Sequence, residues 1–230
     1  MSEEGSRVLS RLRGIVAPIR HILAAPLVSR GVSADTVTLA AIPLAVAAAT
    51  LIALRFNLLG FGLALLAAAV DFVDGEVARL QGRVTPFGDL LDAVVDRIVE
   101  GLLLAALALR MPLPAALALA LGALVSYIKA RVGLVIAADN RDWPGLGDRA
   151  DRVALVLVAV LVDAPIFASS GGTVWAERVL WLLVMVSGVG CVQRMLHARA
   201  LIAAERSSVD VAQGGPHVEM PNEARRGRAR

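Results

Sequence analysis

Asp71-Phe72-Val73-Asp74-Gly75-Glu76-Val77-Ala78-Arg79 is followed, after residues 80–87, by Gly88-Asp89-Leu90-Leu91-Asp92-Ala93-Val94-Val95-Asp96. On a helix Asp71 and Asp74 stand at i and i+3, while Gly88, Asp92 and Asp96 follow one another in i+4 steps, so each set projects along one face. The connection Leu80 to Thr85 is short enough to make the two helices antiparallel neighbours. Pro86 sits where a helix can begin without an amide donor. Two short faces thereby bring four carboxylates together, although the sequence on both sides is apolar: the run from Leu58 stops at Asp71, and another resumes past Asp96.

Of the 230 residues 57% are hydrophobic, and mean hydropathy is +0.71. A soluble domain sits near about 45–50% on a broader apolar count. Lipid is the expected solvent. Aromatics make up only 4%, so the apolar mass is Ala, Leu and Val, suited to closely packed membrane helices. The 23 basic residues, all Arg except Lys129, nowhere interleave with aromatics as nucleic-acid platforms require, so no nucleic-acid partner is expected. The single Cys191 can form no intrachain disulfide. The polar stretch Met1 to Arg13 has no apolar core and cleavage site behind it, and no removable signal peptide is expected.

At about 20 apolar residues per crossing, six spans are read: about Thr36–Leu54, Leu58–Arg79, Pro86–Leu109, Leu113–Ala137, Arg152–Ala168 and Val174–Ala198. The second and third are the uneasy ones, because they contain the aspartates. Val8 to Leu27 alternates Arg11, Arg13, Arg20 and His21 with Leu, Ile and Val, the pattern of an amphipathic helix lying in the interface. Past Ala203 the composition turns to Ser, Gly, Pro, Glu and Arg, a disordered polar tail. The expected fold is an all-α integral membrane protein, six transmembrane helices preceded by an interfacial helix, with a leader over 1–33, a helical domain over 34–202 and a tail over 203–230. Arg7, Arg11, Arg13, Arg20, Arg30, Arg79, Arg83, Lys129, Arg131, Arg141, Arg149, Arg152 and the C-terminal arginines collect on one side, against Arg55, Arg110 and Arg178 on the other. By the positive-inside rule both termini and the acidic cluster face the cytoplasm of a multi-pass cell-membrane protein.

An ionisable group at membrane depth costs about 2.5–3.5 kcal/mol even on the mild insertion scale. Four clustered carboxylates also repel one another. Something positive must sit among them. Carboxylate oxygens with phosphate and water form the ligand set of Mg²⁺ or Mn²⁺, and two such ions bridging phosphates recur in phosphoryl chemistry. Gly75 and Gly88 leave room for close approach of a bulky nucleotide, and Arg79 can neutralise a phosphate. Two other readings are structural salt bridges to Arg79, Arg83 and Arg97, and a cation or proton path. The bridges would not need so many carboxylates at paired spacings; a path would not explain the glycines and Ala78-Arg79.

The spacing D-x2-D-G-x2-A-R-x8-G-x3-D-x3-D, met by Asp71, Asp74, Gly75, Ala78, Arg79, Gly88, Asp92 and Asp96, resembles the signature of the CDP-alcohol phosphotransferase (CDP-alcohol phosphatidyltransferase) family. The resemblance implies an enzyme, a transferase of phospholipid biosynthesis that moves a phosphatidyl-type group from a CDP-linked lipid (CDP-diacylglycerol or CDP-archaeol type) to an alcohol, releasing CMP. It implies Asp71, Asp74 and Asp92 as metal ligands, with Asp96 both assisting at the metal and serving as catalytic base. The donor would lie against Asp71, Gly75, Ala78, Arg79, Gly88 and, from an entry sequence Ser33 to Thr38 that lacks the family's Pro and Asn, Thr38. A homodimer is usual in that family.

The stretches Ser126-Tyr-Ile-Lys129-Ala-Arg131 and Gly147-Asp-Arg149-Ala-Asp-Arg152 resemble the branch that makes inositol-phosphate lipids. That likeness implies inositol phosphate as acceptor, its phosphate held by Lys129, Arg149 and Arg194 with support from Arg131 and Arg152. Arg194, within the apolar run of the last span, is expected to face the bundle interior. The alternatives are a glycerol-3-phosphate acceptor, a CDP-inositol donor giving a soluble diester, and, outside the family, a non-catalytic cation carrier.

Overall fold

The computed structural model describes residues 18, 20–135, 143 and 146–213, leaving aside the side chains of 135, 168–170 and 206–213. Among them every regular element is helical: α1 (20–29), α2 (Ala34–Ala53), α3 (Asn57–Leu80), α4 (Pro86–Ala108), α5 (Pro112–Val135), α6 (Arg149–Val162), a 3₁₀ turn (Pro165–Ser170) and α7 (Gly172–Gln213). Boundaries follow local chemistry. Ser33 caps α2, its side chain accepting from the Thr36 amide, and Thr85 caps α4 by accepting from the Gly88 amide at 3.0 Å, with Pro86 at the first helical position.

Short connections reverse the chain from α2 to α3, α4 and α5 and again from α6 to α7, giving the bundle two ends. The near end carries the α3–α4 connection and the start of α6; the far end carries Arg55, Arg110 and Asp163. Buried Ala48, Ile52, Leu104, Leu107, Val156 and Leu183 close the far half as an apolar core. The outer surface is also apolar: Leu59, Leu113, Trp175 and Met185 are all more than half exposed, as expected where the solvent is lipid. Four helices, α2, α3, α5 and α7, are long and apolar enough to cross a membrane. α4 carries Asp89, Asp92, Asp96, Arg97 and Glu100, and α6 has only 14 residues.

Three expectations change. α3 and α4 are not packed neighbours along their length: α2, with Ala41, Ala45 and Ala48 buried, packs against both, and α3 meets α4 little. Small side chains let α2 seat closely, and the gap beside it becomes the site. The fifth span ends at Val162 rather than running on as helix, since Pro165 starts a separate turn. The tail boundary at 203 also moves, because α7 continues to Gln213; residues 214–230 lie outside those described.

The interfacial helix is described only from Arg20 apart from Pro18. Across the near ends of α2 and α3, α1 buries Ala24 against Val37, Val73 and Val77, while Ile22 is 69% exposed. The Arg20 guanidinium lies 3.8 Å from the centre of the Phe72 ring.

Candidate metal, nucleotide and acceptor site

Asp71 and Asp74 come from the near half of α3, Asp92 and Asp96 from the first three turns of α4. Asp71, Asp74 and Asp92 each offer one carboxylate oxygen within 4.8 Å of the others. Asp74 is held in place, accepting from the Thr38 hydroxyl at 2.5 Å and from the Gly75 amide at 2.5 Å. Asp92 Oδ1 is buried with no hydrogen-bond partner. An orphaned buried oxygen in a triangle of hard donors fits a divalent cation such as Mg²⁺ or Mn²⁺. Asp96 stands apart from the triangle, one turn deeper than Asp92. Its Oδ1 lies 2.5 Å from Arg149 Nη2, and the same guanidinium donates through Nη1 to Asp71 Oδ2 at 2.6 Å.

Two cavities meet at these carboxylates. The first, about 190 Å³, is lined by Thr38, Gly75, Ala78, Arg79 and Gly88, all expected at the donor, together with the metal-site carboxylates Asp74 and Asp92, whereas Asp71, also expected at the donor, is not on its wall. Asp35, Arg83, Thr85 and Asp89 line it as well. Arg79 also bridges to Glu76 at 3.0 Å. The second cavity, about 770 Å³, brings Lys129, Arg149, Arg152 and Arg194 onto one space with Asp96. Arg194 does face inward, 4% exposed, donating to the Val125 carbonyl at 3.1 Å and pairing with Asp148.

Arg131 departs from the expectation. It lines a separate groove between α5 and α7 with Tyr127 and Arg199, because two residues of helix turn it about 200° away from Lys129. Sequence reasoning also missed Glu100, Arg97 as a cavity residue, and Asp148. Glu100 left a signal: it continues the i+4 series of Asp92 and Asp96.

The start of α6 explains how Arg149 reaches the aspartates. Gly147 has φ +72°, and a Cβ there would stand 3.1 Å from the Val186 carbonyl oxygen of α7, so only glycine makes this turn against α7. Its amide donates to Asp151 Oδ2 at 3.1 Å and its carbonyl accepts from Arg152 Nη1 at 2.6 Å.

A family model described as CDP-alcohol phosphatidyltransferase matches residues 32–189, a stretch that holds all four aspartates and both cavities' first walls. The chain belongs to the CDP-alcohol phosphatidyltransferase family. As members are transferases, so is this protein. Its sequence is 31% identical over 194 residues to a phosphatidylinositol phosphate synthase of Mycobacteroides abscessus, covering 80% of this chain and 84% of that one. Its fold is similar to the crystal structure of Mycobacterium tuberculosis phosphatidylinositol phosphate synthase with CDP-DAG bound, with TM-score 0.65 and 29% identity over 79% of this chain and 94% of that one. A crystal structure of the same mycobacterial enzyme in complex with manganese and citrate gives TM-score 0.64 at 28% identity, covering 78% and 88%.

Proposed function

We propose that this transferase is a phosphatidylinositol phosphate synthase, moving the phosphatidyl-type group of a CDP-linked lipid onto inositol phosphate and releasing CMP. The observation that carries the reading is the large cavity in which Lys129, Arg149, Arg152 and Arg194 surround a space bordered by Asp96. Four cations converging beside a carboxylate suit an acceptor that brings both a phosphate and a hydroxyl. An uncharged alcohol would not need four cations on one cavity wall. The similarity to two mycobacterial-type synthases supports the same acceptor.

In this mechanism Asp71, Asp74 and Asp92 hold the divalent cation, Mg²⁺ or Mn²⁺ and in the fullest case two ions. When bound, the ion would supply positive charge that offsets the negative charge building on the departing CMP. Thr38 keeps Asp74 aimed at the triangle. Arg79, on the donor cavity, meets a phosphate oxygen of the nucleotide, while Gly75 and Gly88 keep its wall low. Asp96 takes the proton of the acceptor hydroxyl as its oxygen attacks the lipid-bearing phosphorus. The new P–O bond forms as the bond from that phosphorus to CMP breaks, in one direct displacement.

The transferase domain begins at 34 and ends within α7, whose helix runs past the boundary expected at 202, and α2 to α7 make six crossings with both termini and the site toward the cytoplasm. The basic near end supports that orientation. The functional unit is a homodimer. The decisive experiment combines purified protein, CDP-diacylglycerol and Mg²⁺ or Mn²⁺ with inositol phosphate, glycerol 3-phosphate, inositol or serine. CMP release is expected with inositol phosphate; turnover of glycerol 3-phosphate with inositol phosphate inert would overturn the assignment.

A further inference from the structure

One buried acid on α4 lies outside the aspartate signature. Glu100 is 4% exposed and stands one turn beyond Asp96. Its Oε1 accepts from Arg152 Nε at 2.8 Å and its Oε2 lies 2.6 Å from Arg97 Nη1. Arg152 itself is 2% exposed. α5 makes room for the pair at Gly122, where a Cβ would stand 2.9 Å from Glu100 Oε1 and 3.3 Å from Arg152 Nε.

Arg152 faces two ways. Besides Glu100 it holds the Gly147 carbonyl at 2.6 Å, on the turn whose geometry sets where α6 starts. Two residues along that turn is Arg149, whose guanidinium reaches Asp71 and Asp96 and lines the acceptor cavity. A chain of direct contacts thus runs from Glu100 through Arg152 and Gly147 to the backbone that carries Arg149. Glu100 also sits between two of the cations on the cavity wall, which would repel each other without it.

We propose that Glu100 is a positioning residue for the acceptor: by fixing Arg152, and through it the Gly147 turn, it sets where the Arg149 guanidinium stands in the acceptor cavity. The proposal rests on reading that cavity as the acceptor-phosphate site. A pair that served stability alone would behave differently: losing one partner would lower the melting temperature but leave the acceptor affinity of the folded protein unchanged. A positioning acid changes acceptor binding far more than donor binding, because neither Glu100 nor Arg152 lines the donor cavity and Arg149 meets the donor side only through Asp71, at the edge of the metal triangle.

The test uses the full-length protein and two variants, Glu100→Gln and Gly122→Ala. The first removes the charge at constant volume; the second keeps the charge and crowds the pair, so one reports if the other fails to fold. Inositol phosphate affinity is measured by calorimetry, and the KM of acceptor and donor by CMP release. Each folded variant is expected to weaken inositol phosphate binding and raise acceptor KM about tenfold, with donor KM within about twofold. Glu100→Asp should recover part of the loss, and adding Glu100→Gln to Arg149→Lys should cost less than the product of the single effects. Folded variants with unchanged acceptor affinity, or with donor KM rising equally, would overturn the proposal. If wild-type protein uses a different phosphorylated alcohol, the function assigned above fails separately, and the same comparison is made with that acceptor.

Discussion

Asp92 and Asp96 are neighbours on one helical face with different surroundings, and their substitutions should differ accordingly. In the proposed mechanism Asp96→Asn removes the proton acceptor, so kcat should fall by about 10²–10⁴, the usual worth of general base catalysis. Asp92→Asn removes a ligand, so the loss should be partly recovered at high Mg²⁺ or Mn²⁺. Titration of CMP release against metal distinguishes the two, and melting curves in detergent should show both proteins folded. On the acceptor side, Lys129→Ala should raise acceptor KM far more than donor KM, while Arg131→Ala should leave acceptor KM unaltered, because Arg131 borders the α5–α7 groove instead. Steady-state kinetics with both substrates check this pair. The four aspartates were legible in sequence because a fixed i+3/i+4 spacing of carboxylates has no packing purpose. Arg131 was misplaced because nearness in sequence is not nearness around a helix, and Glu100 was overlooked although it extends the same face.

At the level of helices, hydropathy located α2, α3 and α5 closely, their boundaries falling within a few residues of those expected, and found the start of α7 but not its continuation to Gln213. It served poorly where function places charge: α4 is too polar for an apolar span, and α6 too short. What sequence could not convey was partnership, since α2 rather than the α3–α4 hairpin organises the near end. The far end is tied by a polar knot that no motif announced. Asp163, 2% exposed, accepts from Asn57 Nδ2 at 2.9 Å and Thr173 Oγ1 at 3.0 Å and pairs with Arg110, joining the ends of α3, α4 and α6 to the start of α7. Asp163→Ala leaves Arg110 and Asn57 without that partner, which typically costs about 3–5 kcal/mol. A clear drop in melting temperature is expected, with little change in metal dependence for the protein that remains folded. A distant knot that altered metal affinity as well would mean the two ends are coupled.

For the whole molecule, orientation is the property most open to a direct check. With Cys191→Ala as background, Glu177→Cys at the far end should react with a membrane-impermeant maleimide added outside intact cells, and Ser29→Cys at the near end only after permeabilisation. The reverse pattern would invert the assigned topology. The short α6 then bears on the membrane itself. Its 14 residues make about 21 Å, against a hydrocarbon core of about 30 Å. Arg149, its first residue, reaches Asp71, nine residues or about 14 Å before the near end of α3, so the missing length lies on the side of the acceptor cavity. Such a mismatch is met by thinning of the adjacent leaflet or by water drawn inward. With the proposed topology and acceptor, the cavity would open as a recessed inlet in the leaflet at the near end, and a water-soluble acceptor would descend to the depth of a lipid phosphate that never leaves its bilayer.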